Sequence, residues 1–532
     1  MEAVLVSRNQ GGQSTSDRTL DLVLAGNGKR QRQALDALPA SEWSTSTAPH
    51  AHPGAAQAAQ EPLDASYKPH ALGTYSKFGS DEPNELATFI QGREAWHGNA
   101  ELRDDVEDDL RAFAEQSDHT EGFLLTSQHS TGFSGLTSSF LETLRDEFPK
   151  SAVWVTAILS DARGWKRPDS DRAKAQRLLN EALGLVAAED LASMVLPVQP
   201  VQTYDAYLES RSKDEWRRFL RDDIDSAEAY QQVLTMHLQS AGSELREPDV
   251  LTSVVEQLNW RGGTKIASLS GHTPLAPAPY YGPSGSDTAR SKVRAGERDF
   301  SAWRGDEEGE AGQGKDGWAK EKKRDEEVPF AQYSVVRGLD FEESQEMGPL
   351  LEEAVKPLKE PLARWVSLPD PFPILAASPP VFRGLHPHTG HPLHLSVPST
   401  SLPLLSSDAP APSAALFGLP DARFPPALAF SAQQPRAVPV LTTLSTRPST
   451  ARYVRHLARG MRELRRVRAG VLREYDEGEF ALGREGVDEA RERLEALWDG
   501  YGGAEEEDER EGDKDADEDW TATEQVDEEW DL

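Results

Sequence analysis

The chain is 532 residues long and carries 90 Asp and Glu against 57 Lys and Arg, a formal net charge of −33. A field of that sign repels nucleic acid and anionic membrane and favours basic protein surfaces or cations. There is no cysteine, which excludes disulfide frameworks, thiolate nucleophiles and Cys-based zinc sites and fits a reducing compartment.

Residues 1–64 read as a partial or irregular segment. Leu20–Ala25 (LDLVLA) is a short strand candidate turned by Gly26–Asn27–Gly28, and Ser44–Gln60 reads as loop. The opening stretch has no apolar core for a secretory signal, and Glu2 and Asp17 dilute Arg8 and Arg18 as a mitochondrial presequence. No run reaches the roughly 18 apolar residues of a membrane span. The expectation is a chain without a transmembrane segment; a role at an organelle would then be exercised from its cytosolic side.

Residues 65–273 carry the pattern of an α/β core. Asp105–Glu115 predicts an acidic-started helix with Val106, Leu110 and Phe113 on one face. Phe123–Leu125 is a short buried strand. After a Gly/Ser turn, Leu136, Phe140, Leu141, Leu144 and Phe148 recur at helical spacing until Pro149 stops them. Ser151–Leu159 (SAVWVTAIL) reads as a fully buried strand, so the block is a βαβ unit and implies a parallel sheet. Helices are expected at Asp171–Val186, Ser226–Ser240 and Pro248–Asn259, and a strand at Lys265–Leu269.

Residues 274–328 are charge-rich and nearly free of aliphatics, the composition of a disordered insert. Residues 329–502 resume with a strand at Tyr333–Gly338. Pro369–Pro448 then holds 17 of the 36 prolines, which predicts extended chain laid over a surface and no separate sheet domain. Arg452–Tyr475 follows as a helix with Val454, Leu457, Met461, Leu464 and Val471 on one stripe and eight arginines elsewhere. A second helix, Val487–Trp498, closes the region. Residues 503–532 form an acidic tail: 505–531 hold 16 Asp and Glu against Arg510 and Lys514.

Glu121–Lys150 (EGFLLTSQHSTGFSGLTSSFLETLRDEFPK) is the segment richest in chemistry. A small-residue turn between a buried strand and a helix start offers free N–H groups and the positive end of the helix dipole to a phosphate. The plainer alternative is a tight βα connection with no ligand. Gly122–Phe123, Leu125–Thr126 and Arg145–Pro149 (RDEFP) resemble the tubulin strand and helix that flank its glycine-rich nucleotide loop. Together with DVEDDLRAFAE, YSVVRGL at Tyr333–Leu339 and PVLTTLSTRPS at Pro439–Ser449, the block more closely resembles the Misato family of divergent tubulin-like proteins. The resemblance implies a tubulin/FtsZ-like parallel sheet flanked by helices. Its implied role is non-catalytic: partitioning of mitochondria and inheritance of their DNA, through basic or cytoskeletal protein partners, with peripheral association at the organelle. It also marks Ser130, Thr131, Gly132, Ser134 and Gly135 as a vestigial nucleotide loop, with GTP the only cofactor that the fold would suggest. Here the pattern departs from tubulin. Two glycines remain, and Phe133 occupies the position of a threonine, where it would crowd a triphosphate. No recognisable opening phosphate loop or paired hydrolytic acids are found, so the expectation is no catalysis; the rival function is a GTP-binding or GTP-hydrolysing cytoskeletal assembly protein.

Three weaker features complete the reading. His386, His388, His391 and His394 lie close together, but their proline-rich setting favours a solvated loop over a metal site. The arginine stripe and the acidic tail each admit a docking role or a merely solvated one. Glu142, Arg145 and Asp146 are candidate partner contacts on the helix after the loop.

Overall fold

The computed structural model describes residues 2–8, 86–115, 119–159, 171–199, 226–245, 247, 249–275, 298–300, 328–339, 362–374, 382, 385, 390, 435–467, 475 and 480–501. The Leu20–Ala25 strand candidate, the histidine group, Val471, most of the charged insert and the acidic tail lie outside these residues.

A first sheet has strand order β1 (Glu2–Arg8), β2 (His119–Gln128), β3 (Ala152–Ile158), β4 (Met194–Val198). β2, β3 and β4 are parallel, as the βαβ pattern requires, and β1 adds an antiparallel edge. Alternation divides their side chains between two cores. Phe123, Leu125, Val153, Val155, Ala157 and Val195 point into one. Trp154, Met194, Leu196 and Val198 point into the other. Both faces are therefore buried, which is why β3 reads as an unbroken apolar run. β4 was not legible because MVLPV is short and contains Pro197, which is tolerable on this outermost strand.

The first core is closed by helices α1 (Phe89–His97), α2 (Ala100–Glu115), α3 (Phe133–Glu147) and α4 (Asp171–Leu191). The expected stripe of α3 is buried at Leu136, Phe140, Leu141 and Leu144, and Phe148 packs partly buried beyond its end. α2 begins at Ala100, five residues before the acidic run, and buries Val106 and Leu110. The second core lies under α5 (Ser226–Leu245) and α6 (Val250–Leu258). Glu121 at the start of β2 fixes α6: both its carboxylate oxygens accept the Asp249 N–H at 2.9 Å, beside the helix start.

A second sheet has the order β6 (Arg298–Asp299), β5 (Ser268–His272), β11 (Val440–Thr446), β7 (Ala331–Arg337), β8 (Ala363–Leu368), with a small pair β9 (Phe372–Pro373) and β10 (Ala437–Val438) beside it. Two expectations change here. The end of the proline-rich stretch supplies the central strand β11, because VLTTLST between Pro439 and Pro448 is rich in β-branched Val and Thr and free of proline. Within the charged insert, Arg298–Asp299 pair with β5, and Phe300 is fully buried with its N–H donating to the Leu269 carbonyl at 2.8 Å. An aromatic anchor of this kind holds a short segment that its neighbours' composition would leave free.

The sheets meet through Val195, whose N–H donates to the Lys265 carbonyl and whose carbonyl accepts from Ala267, both at 2.7 Å. Two C-terminal helices, α7 (Thr450–Val467) and α8 (Gly483–Gly500), pack on α4 and complete the first core with Val454, Leu457, Met461, Val487, Ala490 and Leu494.

Candidate functional site

The five loop residues come together where β2 ends and α3 begins. Ser130 and Thr131 follow the strand, Gly132 sits at the N-cap, and Ser134 and Gly135 lie in the first turn. Ser130, Gly132, Ser134 and Gly135 are buried and Thr131 is half-buried. Four amides of the loop and the first turn of α3 are already bonded within the chain. Gly132 N–H donates to the Leu86 carbonyl at 2.9 Å and Ser134 N–H to the Thr131 carbonyl at 3.1 Å. Gly135 and Leu136 N–H groups donate to the Gly132 carbonyl at 3.0 and 3.1 Å. The Ser134 hydroxyl also turns inward, donating to the Thr131 carbonyl at 2.8 Å.

The glycines have a different physical reason from the one that the tubulin pattern suggests. A Cβ at Gly135 would lie 1.8 Å from the Phe89 carbonyl oxygen, and one at Gly132 would lie 2.6 Å from the Thr88 carbonyl oxygen. On the facing helix, a Cβ at Gly92 would lie 1.7 Å from the Gly132 carbonyl oxygen. The three glycines let α1 and the start of α3 touch backbone to backbone, so α1 lies where the loop would otherwise be open. Phe133, half-buried, joins the same core, and its carbonyl accepts from the Thr137 hydroxyl at 2.7 Å.

Asn180 on α4 ties this arrangement together, and sequence reasoning did not single it out. Its Oδ1 accepts from Phe89 N–H at 2.8 Å and from the Tyr475 hydroxyl at 2.9 Å. Its Nδ2 donates to the Ala87 carbonyl at 2.8 Å and the Ser130 carbonyl at 3.3 Å. The available signal was a lone Asn inside the apolar stretch LLNEALGLV. His129, also missed, is buried against Gly184, where an added Cβ would lie 2.9 Å from its Nδ1, and neither ring nitrogen has a hydrogen-bond partner. Burial lowers its pKa to about 4, so the ring is neutral. The N-terminal end of α3 beside it disfavours an imidazolium further.

The three proposed contact residues on α3 divide. Arg145 is held internally: its guanidinium donates to the Leu191 carbonyl, to the Ser151 carbonyl at 2.8 Å and to Ser193 Oγ at 3.1 Å. Burial lowers its pKa. Glu142 pairs with Arg93 at 3.0 Å, and Asp146 is exposed. Arg145 is thus a structural clamp between α3 and the starts of β3 and β4. Among the described residues there is no cluster of metal-ligating side chains and no helix long and apolar enough to cross a membrane.

A family model for the tubulin domain matches residues 66–220, the stretch that contains β2, the loop, α3, β3, α4 and β4. The parallel sheet, its flanking helices and this match define a tubulin-like protein. The chain is also similar to protein DML1 of Gibberella zeae, 28% identical over 194 residues that span 36% of each chain. It is 30% identical to mouse protein misato homolog 1 over 131 residues, covering 24% of this chain and 22% of that protein. Protein misato of Drosophila melanogaster is 26% identical over 142 residues, covering 26% and 25%. The matched stretches thus span between about a fifth and about a third of these relatives' own lengths. Within the tubulin-like class, the chain is similar to the Misato and DML1 proteins over these partial stretches.

Proposed function

We propose that this is a non-catalytic tubulin-like protein that acts, through protein partners, in the distribution of mitochondria and the inheritance of their DNA. The observation that carries the non-catalytic half is the closed loop. The amides of Gly132, Ser134, Gly135 and Leu136 are bonded within the chain, and α1 packs directly on the two loop glycines. Converting that loop into a triphosphate cradle would require breaking these bonds and moving a helix whose Phe89, Ile90 and Trp96 are buried. The mitochondrial half is supported by the similarity to the Misato and DML1 proteins, with peripheral, cytosolic-side placement as its working geometry. The rival reading, a GTP-binding assembly protein, draws support from the tubulin-domain match alone.

Titration of GTP into the purified protein separates the two. The expected dissociation constant is weaker than about 0.1 mM, with no hydrolysis above background. Sub-micromolar binding that disappears in Gly132→Val would establish the rival. The cellular half is tested by depleting the protein and imaging mitochondria through division, with protease treatment of isolated organelles. Normal inheritance after full depletion sinks the role. Protection from protease until the outer membrane is opened sinks only the surface placement.

A further inference from the structure

In a chain of net charge −33, α7 is a concentrated block of positive charge, with Arg452, Arg455, Arg459 and Arg462 recurring at steps of three and four. That spacing lines them along one edge of the helix, away from the buried Val454, Leu457 and Met461. Arg459 and Arg462 are exposed. Arg462 shares Glu495 with Arg491, at 2.8 and 3.5 Å, and Arg459 has no ion-pair partner among the described residues.

α8 runs back along α7. The Arg455 guanidinium sits 5.1 Å over the Trp498 ring near the end of α8, while Arg462, two turns further along α7, pairs with Glu495. The chain therefore leaves α8 at Tyr501 beside the N-terminal end of α7, which is the positive end of that helix's dipole. The next residues are the acidic run: 505–531 carry 16 Asp and Glu against two cations, a net −14. A tethered segment meets such a site at an effective concentration of about millimolar. The whole of α7 is only about 27 Å long at 1.5 Å per residue.

We infer that the acidic segment 505–531 folds back onto the exposed arginines of α7, Arg459 and Arg462, and masks them from other polyanions. This inference is independent of the mitochondrial reading. The occupant is the chain's own segment because it has the opposite charge, starts at the edge of the site and is covalently held there.

The test uses the full chain, whose lack of cysteine lets Ala496→Cys at an exposed position of α8 and Thr523→Cys in the acidic segment take a dye pair without background. A docked segment gives high energy transfer in about 0.02 M salt. Transfer falls by about half as salt rises to about 1 M, where the screening length is about 3 Å. Arg459→Glu with Arg462→Glu lowers the low-salt transfer to the high-salt level, and Arg459→Gln with Arg462→Gln lowers it part of the way, without altering the circular dichroism. A solvated acidic segment would behave with the opposite sign, because self-repulsion extends it at low salt and screening lets it contract. Transfer that rises with salt, or that is unchanged in both charge variants, overturns the inference.

Discussion

Asn180 and His129 show how two buried polar side chains at one site have opposite consequences for stability. Asn180 satisfies four groups from three other segments, so removing it orphans buried partners. Asn180→Ala is expected to destabilise the fold by about 3 kcal/mol in urea unfolding, and Asn180→Asp by at least as much, since the two donated bonds are lost and a carboxylate is left buried against the Ala87 and Ser130 carbonyls. His129 is neutral in the fold with a pKa of about 4, against about 6.5 when unfolded. Between those values the unfolded chain binds the extra proton, so stability falls as pH drops from about 6.5 towards 4 and is unaffected above about 7. His129→Leu is expected to flatten that limb of the stability–pH curve relative to the unaltered chain. An unchanged limb would show that the imidazole protonates in place.

The contact between α1 and α3 is set by glycines, and the usual rule for glycine in helices reverses there. Replacing a helical glycine with alanine ordinarily stabilises by about 0.5–1 kcal/mol. Gly242 on α5, with nothing within 4 Å of its missing Cβ, should follow that rule. Gly135→Ala should instead cost several kcal/mol, because its methyl would lie 1.8 Å from the Phe89 carbonyl oxygen and neither backbone can yield without parting the helices. Thermal unfolding of the two variants, measured side by side, is the check; equal and small shifts would show that α1 is held loosely. The packing around it argues otherwise. Trp96 meets Phe140 edge-on with centroids 5.4 Å apart, His97 stacks on Phe480 at 4.5 Å, and Thr88 and Gln91 close a capping box at the N-terminus of α1.

At the scale of the whole molecule, the two cores share the first sheet as a common wall, and α7 and α8 are integral to one of them. The acidic segment beyond them has almost no aliphatic residues to add. Ending the chain after Gly503 is therefore expected to change unfolding stability by less than about 1 kcal/mol, the range of exposed ion pairs, even if the segment lies on α7. A clearly lower melting temperature would mean that it packs with more than charge.

What the sequence by itself determined was everything carried by local periodicity: β2, α3 and β3 in order, the stripe Leu136–Phe140–Leu141–Leu144, β7, and the apolar faces of α7 and α8. From these came the parallel α/β class, while the tubulin-like resemblance rested on the residues of Glu121–Lys150 themselves. It also located Ser130–Gly135 as the connection between strand and helix. Only the tertiary structure decided what that connection does. The neighbour that closes it, α1, lies about 40 residues earlier, and the residue that clamps it, Asn180, about 50 residues later. The same holds for β11, whose central place depends on pairing with β5 and β7 from far along the chain. A helical stripe is written in steps of three and four residues. Whether a glycine accommodates a phosphate or another helix depends on which backbone arrives opposite it, and that is settled only when distant segments pack.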